Sequence, residues 1–170
     1  MIPTIGVTST CPGWSRVRPA AESLARHAAE LALADGIAAS GLVWHGTVEL
    51  GITLAGAAEQ QRLNRDYRGQ DVPTNVLAFP AWDSETLSPP GAPLLLGDVV
   101  LAFETVAHEA ADQGKPLGHH LGHLVVHGVL HLLGFDHLTA PEAVAMESLE
   151  TSILARLGVP DPYRDIASHE

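Results

Sequence analysis

His127-Gly128-Val129-Leu130-His131-Leu132-Leu133-Gly134-Phe135-Asp136-His137 reads H-x-x-x-H-x-x-G-x-x-H. Two histidines four residues apart lie on one face of a helix, one turn from each other. Gly134 can end that helix in a left-handed turn, a conformation glycine enters without steric cost. The chain then reverses and returns His137 toward the first two. Three neutral imidazoles with one position left open make a catalytic zinc site. The motif therefore predicts a metal-ligand helix and turn of zincin-like form, with His127, His131 and His137 as ligands.

The neighbouring histidines test this assignment. His119, His123, His127 and His131 form a ladder at spacing four. His123 and His131 would lie about 12 Å apart along a helix axis, whereas Zn–N bonds are about 2.0–2.1 Å. A straight helix thus supplies two ligands to one ion, and His137 after the turn supplies the third. His119, His120 and His123 are expected at the surface or beside the ligands, with His123 lining the cleft. Asp136 has two readings: it hydrogen-bonds a ligand's other ring nitrogen, or it caps the turn after Gly134.

Outward from this motif, residues 117–133 read as the metal-ligand helix, started by Pro116 after the break at Gly114-Lys115. Residues 94–102 are a buried strand and 103–113 a helix. Residues 142–157 form the last helix, with Pro141 before it and Gly158 after it. Upstream, residues 2–8 and 47–54 read as strands, the second alternating Val48, Leu50, Ile52 and Leu54 with small or polar residues. Residues 17–34 carry an apolar stripe at helical spacing, and Gly36 and Gly41 bracket a loop. Residues 55–67 read as a helix with Leu63 inward, and 74–79 as a strand closed by Pro80. Residues 82–93 are a surface loop, the segment expected to move most, and the tail from about 159 is expected to be loosely ordered. There is no regular βαβ alternation, so the class is α+β, one domain over residues 1–170.

Composition excludes several alternatives. Hydrophobic residues make up 46% and charged residues 17%, which suits a folded chain rather than a disordered one. No apolar run reaches about 18 residues, so no membrane partner is expected. Residues 1–14 lack a basic n-region and an apolar h-region, so no signal peptide is expected. Cys11 is the only cysteine, which rules out an internal disulfide and fits a cytoplasmic setting. The net charge of −11 argues against broad attraction to nucleic acid. Positive charge is instead local: Arg62, Arg65 and Arg68 fall within seven residues, either as a basic face or as a solvated helix side.

A second stretch, Leu63-Asn64-Arg65-Asp66-Tyr67-Arg68, is followed by Asp71-Val72-Pro73-Thr74-Asn75-Val76-Leu77-Ala78-Phe79-Pro80 and later by Leu96-Gly97-Asp98. Together with the histidine motif these resemble the YbeY family of bacterial rRNA-maturation endoribonucleases. The resemblance covers roughly residues 50–157; the first 45 match only in element order. It implies a small mixed four-stranded sheet covered by helices. It implies metal-dependent cleavage of single-stranded RNA, maturation of the 16S rRNA 3′ end and ribosome quality control. The family's metal histidines carry over to His127, His131 and His137, and its functional arginine to Arg68. The implied cofactor is one Zn2+ per chain, with Ni2+ or another transition metal also suited to three imidazoles. The implied partners are a 16S rRNA precursor and the small ribosomal subunit with its proteins. The acidic balance then requires a local basic surface around Arg62, Arg65, Arg68 and Lys115, with a ribosomal protein supplying placement.

Two other readings compete. Zinc peptidases of the H-E-x-x-H type carry a glutamate base beside the first histidine, where this chain has Gly128. A peptidase-like hydrolase would need a carboxylate from elsewhere, such as Asp98 or Glu104. A non-catalytic ribosome assembly factor would need four protein ligands around a structural metal. In the RNA hydrolase, three neutral ligands leave the dication's charge uncompensated, which lowers the pKa of a coordinated water toward about 7. Arg68 would then donate to the phosphate oxygens of the transition state. Asp98 is expected to be structural, at the end of its buried strand. Phe79 and Trp82 are candidates to stack bases, with core packing as the competing role for Phe79.

Overall fold

Strands form where branched apolar residues alternate with small or polar ones: β1 is Ile2–Ser9, β2 Thr47–Ala55, β3 Val76–Pro80 and β4 Leu94–Ala102. The computed structural model describes residues 2–17, 20–41, 46–82 and 92–163. One sheet has the order β1-β2-β4-β3. β1, β2 and β4 are parallel, and β3 runs antiparallel to β4. Parallel neighbours need a crossover. Helix α1 (Ala21–Ser40) connects β1 to β2, and α2 (Ala57–Arg68) with β3 leads from β2 to β4. Helices α3 (Phe103–Asp112), α4 (Leu117–Leu132) and α5 (Ala140–Arg156) follow. This is the α+β class and the mixed four-stranded sheet that the sequence predicts. Among the described residues no helix is long and apolar enough to cross a membrane.

α4 runs through the middle of the molecule. Leu121, Leu124, Val125, Val126, Val129, Leu130 and Leu132 are all buried, as expected of a helix that is apolar on nearly every side. Beyond its first two residues, the half-exposed positions are His119, His123, His127 and His131, which form one strip. Gly128 faces the sheet: a Cβ there would meet Val99 Cγ1 at 2.8 Å and Val76 Cγ2 at 3.3 Å. The position that carries the glutamate in peptidases of this spacing is therefore filled by β3 and β4, with no room for a side chain.

Several expectations are corrected. The first long helix begins at Ala21, after a 3-10 turn at Pro12–Arg16, and runs on to Ser40. Gly36 is not in a loop. A methyl group on it would lie 2.5 Å from Leu133 Cδ1 and 2.9 Å from Leu130 Cδ2, so the glycine lets α1 approach α4 closely. Gly41, with φ 74°, ends the helix. In α2 the fully buried positions are Gln60 and Asn64, not Leu63. Gln60 Nε2 donates to the Val100 carbonyl at 3.0 Å, and its Oε1 accepts from Thr74 N at 2.8 Å. Asn64 Nδ2 donates to the Val72 carbonyl at 2.8 Å. These bonds tie the loop before β3 to α2 and offset the burial of Gln60 and of Asn64 Nδ2, while Asn64 Oδ1 is buried without a described partner.

Asp98 lies in the middle of β4, with an exposed side chain, rather than at its end. The chain also stays packed beyond residue 158. Val159 is buried, and Tyr163 N donates to Asp161 Oδ1 at 2.9 Å. The loop expected over 82–93 falls largely on residues 83–91, outside the described residues, as does the tail from 164.

Candidate metal centre and its carboxylate

The three histidines of the motif converge. α4 ends at Leu132, and Gly134 takes φ 99°, a left-handed value that favours glycine. Phe135 N closes the turn on the Leu130 carbonyl at 3.0 Å. The reversal brings the His137 ring centroid to 5.9 Å from His127 and 5.3 Å from His131. His127 Nε2 and His131 Nε2 stand 3.0 Å apart. Potential donor atoms of all three residues lie within 4.8 Å of one another, so the group can hold a metal ion. Burial first, then the neighbouring His127 and His137, lowers the pKa of His131. It therefore favours the neutral imidazole that a metal needs.

Sequence reasoning missed the carboxylate behind this group. Glu150 of α5 is fully buried. Its Oε1 accepts from His127 Nδ1 and its Oε2 from His123 Nε2, both at 2.8 Å. The Tyr163 hydroxyl also donates to Oε2. Burial alone would raise this carboxyl's pKa. The hydrogen bonds from His123 and His127, the charge of His127 and the Tyr163 hydroxyl outweigh it and hold the pKa down to about 2. Burial, followed by the Glu150 hydrogen bond and charge, raises the Tyr163 phenol, so it remains a donor. A carboxylate on Nδ1 fixes the His127 tautomer and leaves the Nε2 lone pair facing His131. His123, His127 and Glu150 form a second group able to hold a cation, but there the imidazoles already satisfy the carboxylate. One signal was present in the sequence: Glu150 falls on the α5 stripe of Met146, Ile153 and Leu154, where an acid needs a partner.

Asp136 resolves toward the turn. Its Oδ1 accepts from His137 N at 2.7 Å and lies 3.9 Å from His137 Nδ1, too far to hold the ring. Arg68 hydrogen-bonds the Ala78 carbonyl through Nη2, and its Cζ lies 5.3 Å from the Phe79 ring centroid. It shares a groove with Tyr67, Phe79 and Asp98 and lines no described cavity with the histidines. Val76 packs under Gly128, whereas Phe79, three residues further along β3 and under Arg68, lies on the other face of the strand. The arginine and the histidines thus flank one edge strand from opposite faces of the sheet. Arg62 and Arg65 are exposed, and Arg65 pairs with Asp66 at 3.1 Å. Trp82 Nε1 donates to the Leu132 carbonyl at 2.7 Å, which anchors β3 to α4. Glu104 accepts from Ala57 N at 3.2 Å, at the start of α2. Neither Asp98 nor Glu104 is placed as a base at the histidines.

His120 is buried, not at the surface. Its Nε2 lies 2.9 Å from Glu109 Oε1, and Asn75 Nδ2 donates to the same oxygen at 3.1 Å. His120 Nδ1 is buried without a described partner, so protonation would bury an unpaired N–H. Burial lowers the His120 pKa from 6.5; the bond and charge of Glu109 oppose this, and His123 and Lys115 add to the lowering. Just below pH 6.5 the unfolded chain binds a proton that the folded chain resists, so stability falls as pH falls. The urea midpoint is expected to be lower at pH 5.5 than at pH 7.5, and His120→Gln should remove part of that difference. An unaltered difference in the variant would show that His120 is not responsible.

The geometry can be set beside known proteins. The family model described as Endoribonuclease YbeY matches residues 18–158. The chain is 54% identical over 160 residues to Endoribonuclease YbeY of Paramagnetospirillum magneticum, covering 94% of each chain. It is 50% identical over 159 residues to Endoribonuclease YbeY of Rhodospirillum rubrum, covering 92% of this chain and 80% of that one. The solution structure of TM1509 from Thermotoga maritima superimposes with a TM-score of 0.54 at 21% identity, over 98% of this chain and 96% of that one. This last likeness is one of fold.

Proposed function

Because the chain belongs to the YbeY endoribonuclease family, we propose that it is a metal-dependent endoribonuclease acting on single-stranded RNA. Its substrate in this reading is the 3′ end of the 16S rRNA precursor. It acts in the cytoplasm with the small ribosomal subunit and its proteins. His127, His131 and His137 hold one Zn2+, with Ni2+ the next candidate. The observation that carries this reading is the convergence of three ring nitrogens, with Glu150 holding His127 in the tautomer whose Nε2 is free. The family reading of the same residues accords with it.

When bound there, the ion would supply Lewis acidity toward water and phosphoryl oxygens. The remaining work falls to the chain. Glu150 orients His127 and keeps a proton on its Nδ1. Arg68, tethered to Ala78 and lying over Phe79, still has guanidinium N–H groups to offer a phosphate. Since Arg68 and the histidines lie on opposite sides of β3, the RNA backbone meets both by crossing that strand's outer edge. Tyr67 is 74% exposed and its ring centroid lies 5.7 Å from that of Phe79, a surface on which a base can stack. The net charge of −11 keeps affinity for free RNA low, which favours placement by a ribosomal partner. The peptidase reading is disfavoured because Gly128 has no room for a base. The structural-metal reading is disfavoured because the converging group, among the described residues, contains three members.

The test is cleavage of single-stranded RNA carrying a 16S 3′-precursor sequence. Wild type is expected to cut. Arg68→Ala should retain metal but lose roughly 10²–10³ in kcat, the usual cost of one transition-state donor. Equal cutting by both proteins would remove Arg68 from the mechanism. No cutting by the wild type on presented substrate would remove the nuclease reading.

A further inference from the structure

Beside the histidines lies a cavity of about 740 Å3 between the start of β3, α3 and α4. That volume falls within the roughly 300–1,000 Å3 of small-ligand sites. His127 and His123 form its end nearest the candidate metal centre, and Asn75, Glu109, Lys115 and Tyr163 line it further. The His123 and Tyr163 ring centroids are 5.6 Å apart at an interplanar angle of 84°, offering aromatic faces and edges to a flat ligand. Glu109 and Asp112 place two carboxylates on the α3 side. That side repels a phosphate and accepts hydrogen bonds from a neutral donor.

Glu109 still has capacity to accept. The close bonds from His120 and Asn75 both fall on Oε1, whereas Oε2 is met by Asn75 only at 3.4 Å. A carboxylate has about four lone-pair sites, and the Glu109 side chain is 33% exposed.

We propose that this cavity receives one base of the RNA, the base adjoining the phosphate at the histidines, and that Glu109 Oε2 selects bases carrying an exocyclic amine. The proposal rests on the RNA-cleavage reading. Cytosine presents an amine where uracil presents a carbonyl oxygen. The amine donates to Glu109; the carbonyl sets one acceptor against another and leaves both unpaired. Stacking against His123 and Tyr163 holds the base in place without regard to its identity.

The experiment titrates the metal-free protein with CMP and UMP, followed by NMR, and compares cleavage of RNAs that differ only in C or U next to the cut. CMP is expected to bind about tenfold more tightly than UMP and to shift the Asn75 side-chain amide. Glu109→Gln should remove that preference. Ala111→Trp should weaken binding of both nucleotides, because Ala111 lines the cavity and is exposed, so the fold tolerates a ring that obstructs the space. Equal binding of CMP and UMP, or a preference that survives both variants, overturns the subsite. RNA cut alike at C and U, together with equal nucleotide binding, rejects the subsite and leaves the nuclease standing. CMP selectivity that depends on Glu109, in a protein that cuts no RNA, keeps the base site and rejects the cleavage reading.

Discussion

His131→Ala is expected to abolish stoichiometric metal binding and RNA cleavage together. His131 Nε2 lies 3.0 Å from His127 Nε2, and its removal leaves the candidate site with two imidazoles. Asp136 is engaged with the His137 backbone, His123 Nε2 with Glu150, and Glu150 with two histidines and a tyrosine, so none of them is free to take its place. A ligand present at a hundred times its Kd stabilises the folded state by about 2.7 kcal/mol. For a chain of this size that corresponds to roughly 5–10 °C in Tm. The variant should lose this increment when metal is added and melt near the wild type when metal is withheld. Elemental analysis and paired melts decide the matter. One equivalent of ion retained by the variant would remove His131 from the ligand set.

Glu150→Gln should be the most damaging change away from the proposed ligands. The buried carboxylate accepts from His123, His127 and Tyr163. Glutamine keeps the shape but turns one oxygen into an N–H donor facing those donors. The folded carboxyl sits at about 2 against an ordinary 4.5, a linkage on the order of 3 kcal/mol. Breaking a buried charged network typically costs about as much. The sign follows from the depressed pKa. Between 4.5 and about 2 the unfolded chain takes up the proton that the folded chain refuses. This stabilisation is therefore complete above pH 4.5 and lost as the pH falls toward 2. In the variant, acid unfolding should flatten over that range. Metal affinity should drop about 10–100-fold, because His127 loses the partner that orients it. Tyr163→Phe removes one donor only and should give a smaller loss of stability with the fold intact. Unchanged acid unfolding and unchanged affinity in Glu150→Gln would mean that the carboxylate neither stabilises nor orients.

The positions that could be read in advance were those whose meaning lies within a few residues. β2 could be predicted because Val48, Leu50, Ile52 and Leu54 alternate along one strand. α4 could be predicted because its apolar residues leave His119, His123, His127 and His131 on one strip at spacing four. Gly36 reads as a loop residue because its neighbours in sequence give no reason for a glycine; the reason is Leu130 and Leu133, at the end of α4. Hydrophobicity places Leu63 inward, whereas the buried positions are Gln60, whose amide is met by backbone groups of β4 and of the loop before β3, and Asn64, whose Nδ2 donates to that loop.

The same division runs through the site. Local spacing alone determined the histidine triad: four residues make one helical turn, and a glycine at φ 99° reverses the chain within reach of it. Only the tertiary structure decided that Glu150 stands behind His127, that Glu109 engages His120, and that Arg68 reaches β3 from the face opposite the histidines. Those partners come from α5, α3 and α2, and which helix face meets which is settled by packing around the sheet. No spacing along the chain encodes it.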